Sequence, residues 1–168
     1  FDQFENLGNL KTSGLDLDLG YKTETSLGDF KINYILNYVL NYEDIRTGGR
    51  IDTQEGQFEQ PEVRWTTAAS WVKDDWSANV AVNYIGEFEQ DASVRVQSDG
   101  SILPDIDSMI TVDTTVNFSG IENTILTLGA TNLFNEEPPF SYHDYMGHVV
   151  GTHNSQGRFM YVQATYKF

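Results

Sequence analysis

Polar and apolar residues alternate along most of this chain. Phe30, Ile32, Tyr34, Leu36, Tyr38, Leu40 and Tyr42 share one parity, and Lys31, Asn33, Ile35, Asn37, Val39, Asn41 and Glu43 share the other. A period of two is that of β-strand side chains, so the run predicts a strand with one apolar and one mixed face. The pattern recurs. Leu15, Leu17, Leu19 and Tyr21 oppose Asp16, Asp18, Gly20 and Lys22; Val63, Trp65, Thr67, Ala69 and Trp71 oppose Arg64, Thr66, Ala68 and Ser70. Trp76, Ala78, Val80, Val82, Tyr84 and Phe88 oppose Ser77, Asn79, Ala81, Asn83, Ile85 and Glu87. Further runs are Ile110 to Phe118, Leu126 to Ala130, and Met160 to Phe168. Together they predict seven strands, over about residues 12–25, 30–46, 62–73, 76–89, 109–118, 123–135 and 157–168, and no amphipathic helix.

The connections sort by length. Residues 26–29, 73–75 and 119–122 form tight turns rich in turn-forming side chains, whereas 47–61, 90–108 and 136–156 are long loops. Short and long alternate strictly, as they do in outer-membrane barrels, where the short turns are periplasmic. The strands at 30–42 and 76–88 each cover 13 residues. Soluble strands average about 5–6 residues, and tilted membrane strands need about 9–11. Tyr21, Phe30, Trp71, Trp76, Phe118, Tyr166 and Phe168 lie near the tight turns or the last residue; Tyr42, Trp65, Tyr84 and Phe88 lie toward the long loops. Two aromatic girdles are the mark of a barrel, because amphipathic rings suit a lipid–water boundary.

The predicted fold is therefore all-β: an antiparallel up-and-down transmembrane β-barrel segment. Its expected lipid-facing residues are Tyr34, Leu36, Tyr38, Val80, Val82, Tyr84, Val112, Val116, Val162 and Tyr166. A complete bacterial single-chain barrel has an even strand number. Seven strands imply a segment of a larger barrel, whose remainder must pair with the two open edges. Residues 1–10 do not alternate and read as the tail of an external loop.

Composition narrows the chemistry. The chain has 168 residues, net charge −15 and no cysteine. The charge excludes a nucleic-acid footprint. Without cysteine, disulfides, zinc–thiolate sites and thiol nucleophiles are unavailable to this chain. Fifteen of the 25 acidic residues fall in or beside the long loops, and four of the five lysines near the opposite end. An acidic outer mouth disfavours anionic ligands and tolerates cationic or neutral ones; acidic loops also suit divalent cations between lipopolysaccharide head groups.

The strand faces carry Asp16, Asp18, Asn33, Asn37, Asn41, Arg64, Asn79, Asn83, Asp113 and Asn117 on the polar side, which reads as a wetted lining. Asp16 and Asp18 share a face but have no partner base, so acid–base catalysis is not expected. His143, His148 and His153 recur every five residues in the last loop. Three imidazoles could ligate a metal, but loop spacing fixes no geometry, and mobile surface histidines are the expectation. The ligand-contact candidates are Arg50, Arg95, Tyr142, His143, Tyr145, His148 and His153, with Phe140, Tyr142 and Tyr145 able to stack on a sugar or aromatic ligand. Glu136-Glu137-Pro138-Pro139 stiffens the loop exit. No enzyme activity, metal or cofactor is expected.

Three stretches carry a family resemblance. Asn6-Leu7-Gly8-Asn9-Leu10-Lys11-Thr12-Ser13-Gly14-Leu15-Asp16, Thr131-Asn132-Leu133-Phe134-Asn135, and Gly157-Arg158 leading to Tyr166 and Phe168 together resemble the carboxyl-terminal barrel of TonB-dependent outer-membrane receptors. Asn135 stands where that family more usually has Asp. The resemblance implies a 22-stranded barrel with a plugged lumen, of which residues 1–168 would supply the carboxyl-terminal part of the wall and three external loops. It implies that Tyr166 and Phe168 are read by the assembly machinery. It implies partners: the remainder of the barrel, the plug, the TonB complex contacted by the family's amino-terminal part, and outer-membrane lipid and lipopolysaccharide. It implies TonB-energised uptake of a scarce nutrient, whether a ferric siderophore or similar chelate, an oligosaccharide or a peptide. An anchor or translocator barrel of a surface protein, and a secreted glycan-binding β-sandwich, are the alternatives.

Overall fold

A computed structural model describes residues 8–46, 51–54 and 56–168. The elements are β1 (Gly8–Thr25), β2 (Gly28–Arg46), β3 (Ile51–Thr53), β4 (Val63–Lys73), β5 (Trp76–Ile85), α1 (Ala92–Arg95), β6 (Met109–Ile121), β7 (Thr124–Thr131) and β8 (Phe159–Tyr166). They form one antiparallel sheet in the order β1-β2-β4-β5-β6-β7-β8, with the short β3 pairing only with β2. Consecutive long strands are neighbours throughout, so the sheet is an up-and-down meander. The fold class is that of a partial β-barrel, and β1 and β8 are its edges.

Several expectations need correction. The sheet has eight strands rather than seven, because Glu43–Ile45 extends far enough to pair with Ile51–Thr53. Gly8–Leu10 belongs to β1 rather than to a loop tail: Gly8 pairs with Arg46 and Asn9 with Ile45. Backbone pairing holds these residues although their side chains do not alternate. Residues 1–7 lie outside the described residues. A one-turn helix, α1, was not expected; Asp91 caps it by accepting from the Ser93 amide at 2.8 Å. The third tight turn falls at Glu122 and Asn123 rather than 119–122, since Ile121 still pairs with Thr124. Asn123 takes the left-handed conformation there (φ 57°), which Asn tolerates. Finally, β5 ends at Ile85, and Phe88 leaves the girdle to be buried among the loops.

The bulge between Ser13 and Gly14 gives the first sequence motif a physical reason. Gly14 lies so close to β2 that an added Cβ would meet the Tyr38 carbonyl oxygen at 2.6 Å. Only glycine fits that approach.

Register turns the alternation of single strands into two continuous faces. One lateral row reads Leu17, Leu36, Trp65, Tyr84, Ile110; another reads Thr23, Phe30, Trp71, Ala78, Val116, Leu128, Val162. Between them lie Tyr34, Val82 and Val112, and Ile32, Val80 and Met160. Rings stack along this face: Trp65 on Tyr84 at 5.2 Å, and Trp76 against Phe118 at 4.7 Å. Nothing among the described residues packs over it. Leu19 is 54% exposed, Leu128 53% and Val162 80%. Six strand spacings of about 4.8 Å make the face roughly 29 Å wide. Soluble monomers rarely leave an apolar patch of that size bare. Trp76 to Tyr84 spans about 27 Å along the strand, or about 21 Å of depth at a tilt of about 40°. That is close to the apolar band of an outer-membrane barrel.

The reverse face is polar and cross-linked. Asn37 donates to Asp16 at 2.6 Å, Thr66 to Asn83 and Asn83 to Asp113 at 3.1 Å, and Asn79 to Ser70 at 3.0 Å. Asn117 donates to Ser77 at 3.1 Å and accepts from Thr127 at 2.7 Å. The asparagines on alternate positions are thus the rungs of a cross-strand net.

Candidate functional site

The up-and-down order places the three long connections at one end of the sheet. They pack together rather than waving separately. Phe88 and Ile106, of the second loop, bridge through paired backbone hydrogen bonds of 3.1 and 2.8 Å. With Val149 of the third loop they form a buried cluster, and Phe58 of the first loop packs on it. Each such side chain stabilises by about 1.5–3 kcal/mol when removed from water. The Glu89 amide donates to the Gly56 carbonyl at 2.8 Å, joining the second loop to the first. Gln90, 2% exposed, joins the second to the third: its amide donates to the Phe140 carbonyl at 3.3 Å and accepts from the Tyr142 amide at 3.2 Å. The result is a single cap.

The third loop starts from a built turn. Asn132 exchanges two hydrogen bonds of 2.8 Å with the Glu136 backbone, and its own amide donates to Asp113 at 2.8 Å. The Leu133 amide donates to the Val112 carbonyl at 2.7 Å, and Asn135 accepts from the Arg158 amide at 2.9 Å. Asn132 and Asn135 both have positive φ, 49° and 58°. The Asn132-Leu133-Phe134-Asn135 motif is thus a clasp between wall and loop, and both asparagines close it.

A cavity of about 380 Å³ opens between the first two loops, lined by Gln54, Gln57, Phe58, Glu89, Gln90, Asp91, Ala92 and Arg95. That volume suits a small ligand. Arg95 pairs with Glu89 and approaches Asp105 at 3.8 Å. The His143 ring lies 5.1 Å from Phe58, with Nε2 4.0 Å from Asp91. Hydrogen bonding from the Ser93 hydroxyl, above all, holds the Asp91 carboxyl below its usual range, with the Ser93 amide and His143 adding to it against the opposing effect of burial. The site offers amides, an aromatic edge and carboxylates: the chemistry of recognition, without a nucleophile and base in contact.

The structure divides the ligand-contact candidates. Arg95 and His143 meet at this cup, and Tyr142 is tied to its wall through Gln90. Tyr145 projects at the tip of the third loop, 95% exposed. Arg50 lies outside the described residues. His148 and His153 correct the expectation of surface histidines: they are 9% and 3% exposed. His153 stacks on Phe88 at 5.7 Å, and neither ring nitrogen has a hydrogen-bond partner among the described residues. Burial, then the charges of Arg64 and His148, push its pKa down to about 4. Among the described residues, no group of three or more His, Asp or Glu is placed to hold a metal ion. Gln54, Gln57, Phe58, Gln90 and Asp91 escaped sequence reasoning. The available signal was the apolar residues within the loops, Phe58 in the first and Phe88 and Ile106 in the second.

A family model for the TonB dependent receptor-like β-barrel matches residues 1–133. The match takes in the first motif and reaches Leu133 of the second; the third lies beyond it. No curated protein and no solved structure matches the chain.

Proposed function

The chain belongs to the TonB dependent receptor-like β-barrel family, and from that premise we propose that residues 1–168 form a carboxyl-terminal stretch of wall, with three external loops, in a TonB-energised nutrient transporter. The family's barrels lie in the outer membrane of Gram-negative bacteria and serve transport rather than catalysis. The observation that carries the proposal is the pair of faces. A bare apolar surface roughly 29 Å wide backs onto a hydrogen-bonded asparagine and aspartate lining. One face is wetted by lipid and the other by an aqueous bore holding the plug. The unpaired edges of β1 and β8 are closed by the remaining strands, of which the family barrel has 22 in all.

The loop cap captures cargo at the cup beside Phe58, with Arg95, Tyr142 and His143 at its rim and Tyr145 making first contact. Its carboxylates favour neutral or cationic cargo over anions; ferric chelates of that charge, oligosaccharides and peptides all qualify. TonB then shifts the plug. Uptake assays in cells lacking the full-length receptor, or lacking TonB, test this reading across ferric chelates, oligosaccharides and peptides. The two deletions should abolish uptake of the same cargo. Loss with the receptor but not with TonB would contradict the proposal.

A further inference from the structure

A second cavity lies on the polar face, below the cap. It holds about 240 Å³ between the upper ends of β5, β6 and β7 and the returning limb of the third loop. Its floor is apolar, made by Ile85 and by Met109, which is 4% exposed. Its rim is polar, and the state of each polar group decides what it can bind.

Each oxygen of Asp113, the one charged lining group, already accepts a hydrogen bond: one from Asn83 at 3.1 Å, the other from the Asn132 amide at 2.8 Å. Asn132 is engaged in turn with Glu136. By contrast, the Thr111 and Thr131 hydroxyls and the Gln156 side-chain amide, all lining the cavity, have no hydrogen-bond partner among the described residues. Asn154 accepts from the Gln156 backbone at 2.9 Å, which leaves its amide hydrogens free. Every free group is neutral, and the hydroxyls and the Gln156 amide both donate and accept. An anionic ligand group would lose its hydration here beside the Asp113 carboxylate, and a cationic one would meet carboxylate oxygens already held by two amide donors. A hydroxyl or amide group would exchange its water hydrogen bonds for equivalent ones.

We infer that this cavity is a ligand subsite for an uncharged, hydroxyl- or amide-bearing group: one sugar ring or one peptide unit of a larger cargo. The volume falls below the roughly 300–1,000 Å³ of a complete ligand pocket, so it takes part of a molecule. The inference rests on the reading of this face as the wall of the bore, since only then does cargo leaving the cup pass it.

The test uses the full-length receptor in detergent. Isothermal titration measures binding of two neutral probes, maltotriose and N-acetyl-trialanine amide, and two charged ones, citrate and spermidine. At least one neutral probe should bind. Its affinity should fall tenfold or more in the Thr111→Val, Thr131→Val double variant, and about threefold in Gln156→Leu. The substitution of valine for threonine preserves shape, and Gln156→Leu lies in the loop, so misfolding of one variant leaves the other to decide. Binding of the sugar alone, or of the peptide alone, assigns the cargo to that source. Failure of both neutral probes, equal binding of a charged probe at this cavity, or unchanged affinity in both variants would overturn the inference. Uptake that proves independent of TonB would instead overturn the transport reading, while leaving this binding result standing.

Discussion

The wall and the cap of this chain are built on opposite plans. In the wall, large apolar side chains point outward: Leu15, Leu19, Ile32, Val80, Leu128 and Val162 are all 40% exposed or more. Its polar groups face the other way and satisfy one another. In the cap, Phe88, Ile106 and Val149 are buried as in a soluble protein, and Gln90, Ser141, His148 and His153 are buried with them. The wall thus needs an apolar solvent on one side, while the cap makes its own interior. The contrast predicts two separable stabilities, since elements with few shared contacts open independently.

Substitutions can break that separation or sharpen it. The largest effect is expected from Phe88→Ala, which removes the centre of the cap cluster. Truncation of a buried Phe costs about 3–5 kcal/mol. Hydrogen exchange in the three loops should accelerate together while the strands stay protected. Next comes a charge on the wall. Val80→Arg should cost about 2–4 kcal/mol in a membrane, seen as a lower thermal midpoint of the receptor in liposomes. Ala81→Arg, one residue on and opposite Asp113 in register, should cost far less. Equal effects would mean that the two faces share one solvent. Gln90→Leu should cost about 1–3 kcal/mol by leaving the Phe140 carbonyl and Tyr142 amide unsatisfied. Faster exchange of the Tyr142 amide reads that effect.

Acid should also weaken the cap. His153 has its folded pKa pushed from 6.5 to about 4, so the unfolded segment binds the proton more readily than the folded one. Cap stability is then fully present above about pH 6.5 and declines as the pH falls toward 4. Loop exchange, corrected for its intrinsic pH dependence, should show that decline. His153→Phe, which keeps a ring against Phe88, should reduce it.

What the sequence discloses follows the same division. The wall is legible because its repeat is local: alternation at Phe30–Tyr42 predicts a strand over 30–46, and β2 runs from Gly28 to Arg46. Its ends are less legible. Residues 87–89 keep the alternation of β5, yet Gly86 already bonds back to Val63 and Phe88 turns into the cap. The short β3 and α1 have too few residues to show any period. The cup was hidden because its residues come from two loops and meet only through the fold, as Gly56 and Glu89 do. The expectation of surface histidines failed at His148 and His153 for the same reason: in a loop, spacing does not determine direction. One lies at the cup and two are buried.

The two-faced wall itself is tested most directly by spin labels. Residues 1–168 contain no cysteine, so single cysteines can be placed from Asn79 to Asn83 along β5 in the full-length receptor, cleared of any cysteine outside residues 1–168, in liposomes. Labels at positions 80 and 82 should collide with dissolved oxygen, and labels at 79, 81 and 83 with a water-soluble nickel chelate, alternating residue by residue. Uniform accessibility along the strand, or alternation of the opposite phase, would contradict the account.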